Sequence, residues 1–146
     1  MKKVLFIGLT VLLTSLGAVA QCGGKALILT GSKAEFLDER GNVQHTDDSK
    51  VVCRLDTQKV EFEHNDQPDE TISGAVEKLS CQWTTPFRDG KTTFTSQLTD
   101  KSGDPRDAQV LIEGKDGKLT ILLDLTAPDG RKMKIRVYVD SYEEKN

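Results

Sequence analysis

Hydrophobic and polar residues alternate along most of the chain after residue 24. The clearest run lies near the C-terminus, where Met133, Ile135, Val137 and Val139 share one side and Lys132, Lys134, Arg136 and Tyr138 the other. A period of two sends alternate side chains to opposite faces of a sheet, so this run predicts a half-buried strand. Leu119, Ile121, Leu123 and Leu125 repeat the pattern against Thr120, Asp124 and Thr126, with Leu122 intruding on the polar side.

Asp-Gly pairs punctuate these runs at residues 89–90, 116–117 and 129–130, and Asp-Gly favours the positive backbone angles of tight hairpins. The pattern predicts strands over 25–30, 34–38, 50–56, 58–64, 71–78, 80–87, 91–99, 107–114, 118–126 and 131–140, with loops at 66–70 and 100–106. No stretch of ten residues carries a helical apolar stripe. The expected fold is therefore all-β: an antiparallel meander that closes into an up-and-down barrel and so removes its exposed edges, with a two-sheet sandwich as the alternative.

The first 20 residues do not belong to this pattern. Lys2 and Lys3, the uncharged run Val4 to Leu16 and the small residues Gly17-Ala18-Val19-Ala20 have the order of a secretory signal, with the cut expected after Ala20. That assigns 1–20 to the signal and 21–146 to one domain, periplasmic or extracellular, with no membrane insertion after cleavage. Lipid attachment at Cys22 is the alternative, against which Gln21 before the cysteine speaks. The net charge of −3 becomes more acidic when the two lysines leave, which excludes nucleic acid as the main partner because it demands a basic footprint.

Export places the three cysteines where pairs close. Cys53 and Cys81 lie on apolar faces of their strands and Cys22 on a free end. The candidate bridges are Cys22 with Cys81, which would tie down a fraying terminus and is preferred, and Cys53 with Cys81. The odd thiol is expected to be buried and inert.

Little else in the sequence has the spacing of a reactive site. His45 and His64 sit in polar surroundings and read as surface residues, without a metal-ligand spacing. Serines and aspartates are plentiful, but no Gly-x-Ser-x-Gly turn marks a nucleophile. The loop Asp100 to Asp107 mixes Lys101 and Arg106 among its acids, unlike a calcium loop. One Trp and two Tyr make a thin platform for stacking sugars. Arg131, Lys132, Lys134 and Arg136 form a basic stripe expected to keep an outer face soluble. No catalytic residue, metal or cofactor is expected.

The stretch from Cys22-Gly23-Gly24-Lys25 through Leu27 to Asp38 and Gly41-Asn42-Val43 resembles the opening of small exported bacterial lipocalin-like proteins of unassigned function. The segments Ser80 to Phe87 and Ile112 to Gly117 are similar to later parts of the same group. The resemblance implies an up-and-down barrel of about eight strands. At Gly24-Lys25-Ala26 the chain lacks the Gly-x-Trp tryptophan that normally closes one end of a lipocalin barrel.

These readings lead to an expected non-enzymatic, monomeric β-barrel that binds a small apolar or amphipathic molecule in its interior. A protein-interaction module with a filled core is the second reading and an unrecognised hydrolase the third. The residues expected in the core or lining a cavity are Phe62, Trp83, Phe94, Leu119, Ile121, Leu123, Ile135 and Val137.

Overall fold

A computed structural model describes residues 22–146; the expected signal segment and its cleavage site lie outside the described residues. Ten strands follow one another: β1 (Ala26–Leu37), β2 (Val43–Asp47), β3 (Val51–Leu55), β4 (Lys59–His64), β5 (Gln67–Ala75), β6 (Glu77–Thr85), β7 (Asp89–Thr99), β8 (Pro105–Lys115), β9 (Lys118–Thr126) and β10 (Lys132–Lys145). All pairings are antiparallel. Strands β2 and β3 run end to end along one edge of β1, and β5 and β6 together face β7, so the ten segments make eight staves. Pairing of β10 with the other edge of β1 closes the barrel. This is the all-β, up-and-down architecture that the alternation and the resemblance both imply.

The alternating residues supply the filling. Leu29, Cys53, Val60 and Ile112 have no exposed surface, and Leu98, Ile121 and Val137 are nearly as deep. Along β9 every second residue from Leu119 to Leu125 is buried. These side chains form one contiguous core at the waist of the barrel, and burial of one of this size contributes roughly 1.5–3 kcal/mol.

The structure departs from the expected boundaries at several places. The strands expected at 25–30 and 34–38 are a single strand, Ala26–Leu37. Its inward parity changes from Leu27 and Leu29 to Ala34 because a bulge interrupts the pairing with β10 around Gly31. A Cβ at Gly31 would collide with the Tyr138 carbonyl oxygen, which explains the glycine. Strand β2 was not expected because its residues are polar on both faces; it is an extension of β3 beyond the core, with Val43 exposed. Residues 67–70 are strand, not loop. Asn65 and Asp66 both adopt positive φ, 52° and 54°, and turn the chain in two residues, so pairing resumes at Gln67. Pro105 and Arg106 likewise belong to β8. Met133, expected on the inner face, is 44% exposed because it stands at the barrel end.

The hairpin expected at Asp89-Gly90 turns earlier, at residues 85–88, where Arg88 N donates to Thr85 O. Pro86 pre-sets the first turn position and Phe87 takes the left-handed one at φ 56°. The other two Asp-Gly pairs lie at turns, with Gly117 and Gly130 at positive φ.

The candidate functional site at the barrel ends

Two apolar pockets lie at the ends of the barrel, on either side of the buried waist. The lower end, where β1 begins, is organised by the disulfide between Cys22 and Cys81, whose Cα atoms are 5.4 Å apart. Trp83, one turn of the pleat beyond Cys81, donates its indole N–H to Thr92 Oγ1 at 2.9 Å, and that hydroxyl in turn donates to Cys81 Sγ at 3.3 Å. The register places Gly90 of β7 opposite Gly114 of β8. Side chains at these positions would run into the Trp83 ring, at 2.9 Å from Gly90 and 2.8 Å from Gly114. The glycine read from sequence as a turn residue is therefore part of a floor on which the tryptophan lies.

Phe87 packs on Trp83 and on Tyr142, with ring centroids 5.4 and 5.0 Å apart. Glu144 lines the lower pocket and Tyr142 reaches Phe87 beside it, beyond a bulge near Asp140 that reverses the parity of β10. The pocket beneath these rings measures about 290 Å³ and is crossed by Cys22, Gly23 and Lys25.

The upper end opens into a second, apolar pocket of about 240 Å³. Phe62, Leu123 and Val137 form its buried floor, and Phe36, Ile72 and Ile135 its half-buried walls. Its mouth is polar, and the polar groups come from three staves. Asp47 and Ser49 stand at the junction of β2 and β3, His64 ends β4, and Glu70 lies on β5, brought back by the Asn65-Asp66 turn. His64 Nδ1 is 2.7 Å from Glu70 Oε2, and its Nε2 is 2.8 Å from Ser49 Oγ. The Ser49 hydroxyl donates to Asp47 Oδ2 at 2.9 Å. Glu63, also lining the pocket, receives Arg54 from the outer surface at 2.7 Å.

Serine, histidine and carboxylate linked in this order have the connectivity of an acyl-transfer site. Ser49 has one hydroxyl proton, however, and the contact to Asp47 uses it. The serine proton is thus directed at Asp47 and not at the imidazole, whose Nε2 faces Ser49 and whose Nδ1 faces Glu70. The adjacent carboxylates also repel the negative charge that develops in acyl transfer. The arrangement is suited to holding a polar group at the mouth of an apolar pocket.

The residues selected from sequence divide between these regions. Phe62, Leu123, Ile135 and Val137 line the upper pocket, Trp83 lines the lower one, and Phe94, Leu119 and Ile121 fill the waist between them. Trp83 and Ile135 are half-buried and the other six buried, as their places at the ends and in the middle require. Cys53 is the free cysteine of the described residues; burial pushes its thiol up to about 12, which keeps it protonated and unreactive. His45 lies outside the cluster and packs its ring on Phe36, 5.8 Å between centroids. Among the described residues no group of three or more His, Cys, Asp or Glu could hold a metal ion. Sequence reading missed Ser49 and Glu70, which are remote from each other along the chain and meet only through the two bent staves. No known protein family, curated protein or solved structure matches this chain.

Proposed function

We propose that the protein is an exported, lipocalin-like barrel that binds one small apolar or amphipathic molecule in its upper pocket and acts by binding, without catalysis. The observation that carries this reading is the pocket itself: a polar mouth of Asp47, Ser49, His64 and Glu70 over a floor of buried apolar side chains. A filled barrel with no need for a ligand would have these walls packed against one another.

Two further features support it. The Cys22–Cys81 bridge belongs with folding in an oxidising compartment. At the opposite end Trp83 from β6 lies over Gly90 and Gly114, at the same end of the barrel as Gly24-Lys25-Ala26, where the lipocalin tryptophan is missing.

The test is native mass spectrometry of protein purified from its own host, beside a variant in which Val137→Phe fills the pocket. A small molecule carried by the parent and lost from the folded variant is the expected result. Equal occupancy in both, or a ligand on neither, refutes the assignment to this pocket.

A further inference from the structure

We infer that the ligand of the upper pocket is an amphipathic monocation, an alkyl chain ending in an ammonium group. The inference rests on the binding role just proposed and adds to it the chemistry of the head. A charged head cannot follow its chain onto the apolar floor, since burying an unpaired charge is prohibitive, so it must stop at the mouth. The charges there decide which head is welcome.

Three carboxylates line the pocket, those of Asp47, Glu63 and Glu70, against one basic side chain, His64. No lysine or arginine lines it. Cations near this end are already engaged: Lys50 with Asp66 at 2.7 Å, Lys101 with Asp69, and Arg54 with both Glu61 and Glu63 from the outer face. Even with His64 protonated the mouth stays negative. A carboxylate head would enter a repelling field, a hydroxyl head would gain only hydrogen bonds, and an ammonium would be attracted while offering donors to Asp47 and Glu70. The side chains of those two carboxylates are 38% and 49% exposed, so an incoming donor can reach them.

The size of the tail follows from the volume. A cavity of about 150 Å³ holds benzene, so 240 Å³ accepts a chain of about six to eight carbons.

The test is a set of NMR titrations at neutral pH of the oxidised protein with n-hexylammonium, 1-hexanol and hexanoate, which share one tail. Hexylammonium is expected to bind about tenfold more tightly than hexanol and hexanoate weakest, with shifts centred on Ile72, Ile135 and Val137. Raising the salt to about 0.5 M should shrink the ammonium advantage and leave hexanol unchanged. In the double variant Asp47→Asn, Glu70→Gln the amine and the alcohol should bind alike. Hexanol or hexanoate binding as tightly as the amine, or an advantage insensitive to salt, would overturn the headgroup inference while the pocket reading stands. If none of the three perturbs these residues, both readings fall.

Discussion

The hydroxyl of Tyr138 donates a 2.9 Å hydrogen bond to the carboxylate of Glu35 across the seam where the last stave of the barrel meets the first. Arg136 and Lys33 approach the same carboxylate, at 3.4 Å each, and Glu35 is only 8% exposed although it points to the outer face. Burial pushes its carboxyl up, but the Tyr138 hydrogen bond together with Lys33 and Arg136 outweighs that effect and leaves it below its ordinary 4.5. A depressed folded value means that the ionised group stabilises the fold above its unfolded pKa, and that this contribution is lost as pH falls through the folded one. Tyr138→Phe should therefore be less stable than the parent at neutral pH, and should lose less stability than the parent on acidification from about pH 6 to pH 3. Urea unfolding at the two pH values measures this; parallel losses would mean that the seam carboxylate is not coupled to the tyrosine.

Non-reducing peptide mapping should recover Cys22 linked to Cys81, and Cys53 should resist alkylation until the protein is unfolded. Closing a loop with a sequence separation of 59 restrains the unfolded chain by about 4 kcal/mol in the chain-entropy model. The double variant Cys22→Ser, Cys81→Ser is expected to unfold at correspondingly lower denaturant. Fast labelling of native Cys53 would contradict its burial.

Gly114→Ala pushes a methyl group against the Trp83 ring and the Arg88 backbone. Overpacking of this kind costs about 1–3 kcal/mol. Because the chain has a single tryptophan, its emission should shift in the same variant, reporting that the ring has lifted from its floor. Unchanged stability and an unchanged spectrum together would show that the ring does not rest there.

Ile121 and Ile135 are the same residue type at different depths, 1% exposed in the waist and half-buried in the wall of the upper pocket. Ile121→Ala should cost about 2–5 kcal/mol, with a cavity left behind, and Ile135→Ala distinctly less because the pocket already exposes it. Thermal unfolding of the two variants checks the order. A reversed order would place the packed core at the upper end.

The strands and the closed barrel were legible because a period of two is a local signal, repeated in stave after stave. What escaped was set by contacts distant in sequence. Gly90 follows an aspartate and has the look of a hairpin residue, yet its use depends on Trp83 and Gly114 from the neighbouring staves. The change of inward parity across Gly31 makes β1 read as two strands, since a bulge is visible only once β10 is beside it. In the sequence His64 stands alone, because Ser49 and Glu70 are 15 and 6 residues away and carry no motif that binds them to it. Local patterning specifies which side of a strand is buried, whereas a mouth is made by whichever strand ends the closure happens to gather.

The seam between β1 and β10 also dictates when the fold can finish. Glu35 and Tyr138 are 103 residues apart, and the segment Lys132–Lys145 supplies the whole closing edge. A chain emerging from the ribosome or a translocation pore can pair its earlier hairpins one by one, yet it keeps two bare strand edges until that final segment arrives. During this interval it is a curled open sheet with its apolar lining uncovered, the form most prone to join another chain edge to edge. The Cys22–Cys81 link joins staves that are both present by residue 85, so it can form before the ring is complete. Oxidation can thus hold the early half together while the late half is still being delivered, and folding without oxidant would be expected to leave aggregates of incomplete rings.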